Sequence, residues 1–349
     1  MKTSPGRFYE DFRLHERIRH PTPRTVTAAD AALYTALYGS RFAVQSSDAF
    51  ARAVGYPRSP LDDWLVFHVV FGKTVPDISI NAVANLGYAD GRFLKPVYPG
   101  ATLASVSEVI GLKESSNGRT GVVYVRSTGF DESGEPVLAY VRWVLVNKRE
   151  SGATNPDDGV VPDLPKMVGP DRFGTGCPAI DKTAYDAELA GSPYRWGDYA
   201  VGERIDHLDG MTVEEAEHQL ATRLYQNTAK VHFDQHAALS GRFRRRLIYG
   251  GHVISLARSL SFNGLANAFH VAAINGGRHV APLFAGDTVY AWSEVLDKAA
   301  LSGRDDVGAL RLRLVATKNQ PCAAFPDRAG DGYDPAVILD LDYWALLPR

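Results

Sequence analysis

The 349-residue chain contains only two cysteines, Cys177 and Cys322, and neither has a second Cys or a His beside it at metal-ligand spacing. That argues against a disulfide framework and against a structural zinc. Charge excess is also missing. With 38 basic residues against 40 acidic ones, the formal net charge is −2, so the chain has no electrostatic footprint of a general nucleic-acid binder, and no basic partner is implied either. The longest apolar run, Trp64 to Phe71, is interrupted by His68 and falls far short of the roughly 20 residues of a membrane span. The N-terminal MKTSPGRFYEDF lacks the apolar stretch of a signal peptide. Together these absences predict a soluble protein of a reducing, cytoplasmic setting that engages neither nucleic acid nor membrane.

What remains is an ordinary globular composition, 45% hydrophobic and 22% charged, long enough for about two domains or one duplicated unit. Duplication is visible. Glu16-Arg17-Ile18 and His20 reappear as Glu203-Arg204-Ile205 and His207, an offset of 187 residues. The register continues through Thr25-Val26 with Thr212-Val213, Leu33 with Leu220, and Leu37-Tyr38 with Leu224-Tyr225. After a one-residue slip it holds at 186, pairing Asn81-Ala82 with Asn267-Ala268, Gly91-Arg92 with Gly277-Arg278, Gly100 with Gly286, and Ser107-Glu108-Val109 with Ser293-Glu294-Val295. Such self-similarity outranks any reading of single elements. Residues 151–193, rich in Gly, Pro and Asp without an apolar period, read as a linker. The expected organisation is therefore an N-terminal copy (1–150), the linker, and a C-terminal copy (194–349).

Each copy shows the same order. A polar-capped helix comes first, with Thr27 or Thr212 as N-cap. A second helix follows (about 61–73 and 251–260), and the first of these is apolar on nearly every face, so it must be buried all round. Then come strand-like runs at 102–110, 121–128 and 137–146, and at 288–296, 309–316 and 337–346. Antiparallel strands wrapped around a buried helix describe a hot-dog fold, so the expected class is α+β, a tandem (double) hot-dog.

Duplication also supplies an internal control, because each candidate can be compared with its counterpart. His232 falls opposite Gln45 and Asn227 opposite Ser40. At the start of the buried helix, Tyr249-Gly250-Gly251-His252 stands where the first copy has Asp62-Asp63-Trp64-Leu65. Bare glycines at a helix N-terminus leave unsatisfied N–H groups open to a ligand at the positive end of the helix dipole. Carboxylates in the same place would instead cap the helix and repel a developing negative charge. The second copy is thus the expected seat of chemistry: His232 as base, Asn227 orienting a water, and the Gly250 and Gly251 N–H groups as an oxyanion hole. Arg244, Arg245 and Arg246, directly before the glycine turn, suit a carboxylate or phosphate. Tyr249, His252 and Asp234 are further substrate-binding candidates, with Arg223 and His279 as possible liners. Arg278, matched by Arg92, reads as structural, and Glu217 as solvated.

The Asn227–Asp234 stretch, followed by the Tyr249-Gly250-Gly251 turn and by Pro282-Leu283-Phe284-Ala285-Gly286-Asp287-Thr288, resembles the MaoC-like, or hydratase 2, enzymes. The full-length pattern, including VFHVVFGKTVPDIS, RLYQNTAKVHF and YGGHVISLARSLSFNGLANA, is similar more narrowly to the mesaconyl-CoA hydratase family. The resemblance implies reversible hydration of the double bond of mesaconyl-CoA (2-methylfumaryl-CoA) to β-methylmalyl-CoA, with an acyl-CoA thioester as partner and no cofactor or metal. Asn227 departs from the broad family, which places a catalytic Asp there, and Ala229 stands where it has Asn. A neutral amide is no base, so the proton work falls on His232, with Asp234 or the substrate's carboxylate as its assistant. A general (R)-specific enoyl-CoA hydratase, a thioesterase and a non-catalytic acyl-CoA binding protein stay open as alternatives, and oligomerisation beyond the internal pseudo-dimer is undetermined.

Overall fold

The computed structural model describes residues 2–173 and 176–349. Each copy supplies four long strands: Ala82–Phe93 (β1), Thr102–Glu114 (β2), Thr120–Phe130 (β3) and Pro136–Asn147 (β4), then His270–His279 (β5), Thr288–Ala300 (β6), Val307–Lys318 (β7) and Val337–Pro348 (β8). Along β2 and β3 buried residues alternate with half-buried ones, as expected of strands with one face on a core. Antiparallel pairing runs β2-β3-β4-β1 in the first copy and β5-β8-β7-β6 in the second. The two sheets join through β1 and β5 into one continuous twelve-stranded sheet.

The expected fold is present, and its joining strands are the part the period-two reading missed. β1 carries Asn, Gly and Asp, and β5 Asn and two glycines, where a strand usually carries branched residues, because each must pass close to its twin. Tyr88 pairs with Gly277 and Gly91 with Ile274, two pairs that exchange under the 186-residue offset. A Cβ on Gly91 would lie 2.8 Å from Ile274 Cβ, so the close approach of the two backbones requires glycine there.

Helices Ala28–Tyr38 (α1) and Asp63–Thr74 (α2) belong to the first copy, Glu215–Leu224 (α3) and Gly250–Leu260 (α4) to the second. α2 is buried from Trp64 to Thr74, and α4 from Gly251 to Leu260. A turn of π-helix, Val75–Ser79, extends α2. Thr27 caps α1, its Oγ1 accepting from Asp30 N–H. Thr212 does not cap α3: the N-cap is Glu214, without a side-chain hydrogen bond. The repeat register explains the correction, since Thr212 corresponds to Thr25 and both lie in short edge strands. Thr25 and Thr212 share hydroxyl hydrogen bonds of 2.8 Å with Thr102 and Thr288. His20 and His207 likewise pair their Nε2 with Ser107 and Ser293, each at 2.8 Å. The segment between the copies is irregular, yet Val168, Phe173, Cys177, Ile180 and Tyr185 are buried against Tyr56, Phe269 and Trp344.

Candidate active site

α4 begins without a side-chain cap. The side chain of its N-cap, Tyr249, offers no acceptor to the first turn, and the N–H groups of Gly250 and Gly251 find no hydrogen-bond partner among the described residues. At the matching end of α2, Asp62 accepts from Trp64 N–H at 2.9 Å. Asp63 sends its carboxylate across to the second copy, where it accepts from Val271 N–H at 2.8 Å and meets His270 Nδ1 at 3.1 Å. One helix end is therefore closed by carboxylates and the other left open.

The open end faces a cavity of about 340 Å³ whose walls come from both copies. That volume lies within the usual range for a small-molecule site. The second copy contributes Asn227, His232, Tyr249, Gly250 and His279, and the first contributes Phe71, Ser79, Asn85, Tyr88 and Arg142. His232, on the short helix Lys230–Phe233, is half-buried. Its Nδ1 lies 2.9 Å from Leu247 O; a carbonyl can only accept, so Nδ1 carries the proton and Nε2 keeps its lone pair. Burial pushes its pKa down to about 4, which leaves the ring neutral at pH 7. Asn227 is buried just after α3, its Oδ1 accepting from Ala229 N–H at 3.2 Å. That turn fixes the amide, and its NH2 has no acceptor among the described residues.

Gly250 and Gly251 separate in role. Gly250 lines the cavity, and a Cβ there would lie 2.4 Å from the His279 ring. Gly251 does not reach the cavity; its missing side chain makes room for the Tyr249 and His68 rings, 2.4 and 2.5 Å from an ideal Cβ. Tyr249 borders the cavity with its ring, while its N–H donates to His218 Nε2 at 2.9 Å.

Several sequence-predicted candidates lie elsewhere. His252 is buried behind Tyr249, its Nδ1 2.8 Å from Tyr38 Oη, and Tyr38 accepts in turn from Tyr225 at 2.7 Å; it holds the two copies together and lies off the cavity wall. Asp234 caps the next short helix, Gln235–Ala238, by accepting from Ala237 N–H at 3.0 Å. Arg246 pairs with Glu215 at 2.6 Å. Arg244 and Arg245 are exposed, with Arg245 stacked on Phe284 at 3.9 Å. The arginine run thus stands outside the cavity, next to the half-exposed Phe243 at its rim.

Residues that sequence reasoning missed come chiefly from the first copy. Tyr88 Oη lies 3.2 Å from His279 Nε2, which ties the β1 wall to the ring packed on Gly250. Arg142 is fully buried in the middle of β4. The signal for it was present: a lone arginine inside VLAYVRWVLV, in a strand otherwise free of charge.

The mesaconyl-CoA hydratase family model matches residues 2–328. A β-methylmalyl-CoA dehydratase from Chloroflexus aurantiacus is 61% identical over 349 residues, 100% of this chain and 99% of that protein. A mesaconyl-CoA hydratase from Cereibacter sphaeroides is 60% identical over 352 residues, covering 100% of both. Among solved structures, a MaoC-domain dehydratase from C. aurantiacus superposes with a TM-score of 0.97 at 60% identity, over 100% of this chain and 99% of that one. A double hot-dog protein from Mycobacterium tuberculosis gives a TM-score of 0.73 at 26% identity over 99% of each chain.

Proposed function

The chain belongs to the mesaconyl-CoA hydratase family, and from that premise we propose that it reversibly adds water across the double bond of mesaconyl-CoA to give β-methylmalyl-CoA. One observation carries the reading: a neutral imidazole with a free Nε2 and an uncapped helix N-terminus line the same cavity. Water adds to the β-carbon as His232 Nε2 takes its proton. Electron density moves through the α-carbon to the thioester oxygen, where the Gly250 N–H group and the helix dipole meet the developing enolate. Asn227 donates its free N–H to the water oxygen and so aligns the attack. The imidazolium then returns the proton to the α-carbon, completing the hydration and resetting the base.

The CoA portion lies toward the rim at Phe243. There the exposed Arg242, Arg244 and Arg245 present guanidinium groups to its phosphates. The test is the absorbance of the enoyl-thioester band with purified protein. Loss of the band with mesaconyl-CoA is the expected result. An unchanged band there, with loss for crotonyl-CoA, would redirect the assignment to a general enoyl-CoA hydratase. Release of free thiol would point to a thioesterase, and binding without turnover to an acyl-CoA carrier.

A further inference from the structure

Arg142 stands on the cavity wall, fully buried, with no carboxylate partner among the described residues. Its Nη2–H donates to Thr74 Oγ1 at 2.8 Å, and its guanidinium lies 4.3 Å above the Phe71 ring. Nε is buried with no hydrogen-bond partner. A guanidinium cannot shed its proton in a protein, and an unpaired buried charge costs several kcal/mol. A cation–π contact recovers roughly 2 kcal/mol at best, so the charge is held at a net cost.

The unpaired groups cluster. Asn85 also lines this cavity, and both its Nδ2 and Oδ1 are buried without partners; Ser79 Oγ on the π-helical turn is in the same condition. Three unsatisfied polar side chains gathered on one cavity wall, all from the first copy, call for a partner that the described residues do not supply. Arg142 and Tyr88 are cross-strand neighbours, and Tyr88 reaches the His279 ring that packs on Gly250. The wall and the open helix end therefore belong to one compartment.

We infer that Arg142, assisted by Asn85 and Ser79, receives a carboxylate on the acyl chain of the substrate, which makes the first copy the determinant of specificity for dicarboxylic thioesters. The inference rests on the hydration reading for the orientation of the acyl chain. In mesaconyl-CoA the carboxylate sits on the β-carbon itself, where the water oxygen arrives, so a cation beside it also cancels the repulsion between the carboxylate and the incoming nucleophile. A planar guanidinium pairs with a carboxylate through parallel N–H···O bonds that an ammonium cannot reproduce.

The test compares two saturated thioesters that differ at the chain end, succinyl-CoA and butyryl-CoA, by calorimetric titration of the full-length protein. Wild type is expected to prefer succinyl-CoA by roughly 10- to 100-fold, the range for hydrogen bonds to a charged group. R142M should reduce the preference below about threefold while keeping its affinity for butyryl-CoA, which reports an intact site. R142K should restore part of it. N85D, which sets a carboxylate of the protein's own beside Arg142, should remove the preference without touching the arginine, and so covers the case in which R142M does not fold. An unchanged preference in folded R142M or in N85D overturns the inference, as does its absence in wild type. A succinyl-CoA preference that depends on Arg142, in a protein that leaves mesaconyl-CoA unchanged, supports the carboxylate site and removes the hydration reading. Turnover of mesaconyl-CoA that R142M leaves undiminished, with the preference intact, does the reverse.

Discussion

Replacing His232 by alanine tests the proposed base directly. Among the described residues the ring makes one hydrogen bond, to Leu247 O, so the folding cost of losing it is about 1 kcal/mol. The catalytic cost is larger: a positioned general base contributes 10²- to 10⁴-fold, or about 3–5 kcal/mol of barrier. H232A should therefore melt close to wild type while kcat falls at least about 100-fold. The pH profile supplies the second half of the test. With burial holding the pKa at about 4, the protonated fraction is about one in a thousand at pH 7 and about one in ten at pH 5. kcat/KM should stay near its plateau down to pH 5 and fall tenfold per unit below about pH 4, whereas an ordinary histidine would lose half its activity near pH 6.5. Initial rates from the enoyl-thioester absorbance after a brief pH jump, with return to pH 7 to check reversibility, measure this. Retention of more than about a tenth of the activity by H232A, or a reversible acid limb centred near pH 6.5, would refute the assignment.

Acid should weaken the fold before it silences the base. His68, His207, His218 and His252 are buried, and desolvation lowers the pKa of each. The native state thus refuses protons that the unfolded chain accepts below about pH 6.5; stability is complete above that pH and is lost as pH falls toward the native values. At pH 5.5 each such group costs at most about 1.4 kcal/mol, so urea midpoints should drop steadily from pH 7.5 to 5.5; a flat midpoint would contradict neutral burial. G250A should displace the His279 ring by about 1 Å and lower kcat by the order of 10²-fold. G251A, crowding Tyr249 and His68 between the copies, should instead lower thermal stability by about 1–3 kcal/mol; kinetics and calorimetry on the pair separate the two roles. D63A strands the Val271 N–H and should cost about 1–3 kcal/mol with kcat and KM unchanged, a result read from urea denaturation and steady-state rates.

The repeat, the fully buried helix and the regular outer strands were legible because each leaves a period in the sequence. β1 and β5 were not, since close passage of two backbones selects glycine and erases the period. Within the site, the contrast between Asp62-Asp63 and Tyr249-Gly250 was readable because the chain carries its own control. Contacts across the pseudo-twofold were invisible in that comparison. His252 looked like a site residue from its place beside the glycines, but its hydrogen bond goes to Tyr38, 214 residues away. Arg142 failed the opposite way: assigning the first copy a structural role took its residues out of consideration, although a charge inside a buried strand is costly wherever it occurs.

The two helix ends, taken together, explain why two similar halves differ in what they present to the cavity. In the closed half the Asp63 carboxylate takes its hydrogen bond from the β5 backbone of the opposite copy, whereas in the open half the His279 ring packs against the bare Gly250. Gln45, the counterpart of His232, is likewise spent on that copy, donating to Phe269 O at 2.7 Å. Gly176 of the connecting segment lies against Phe93 and His270, where an ideal Cβ would be 2.4 Å from Phe93 O. The closed half has thus built a carboxylate acceptor and its donors into the chain, and it gains fold stability from them. The open half has no carboxylate at that helix end and leaves the Gly250 N–H group without a partner among the described residues, which under the proposed function receives the thioester oxygen. Exchanging the pair, as D63G with G250D, should therefore close the open end while opening the other against a wall that lacks Arg142, His232 and Asn85. Such a protein should fold and bind neither succinyl-CoA nor butyryl-CoA measurably; retention of wild-type affinity would show that the uncapped helix end is not where the thioester oxygen is held.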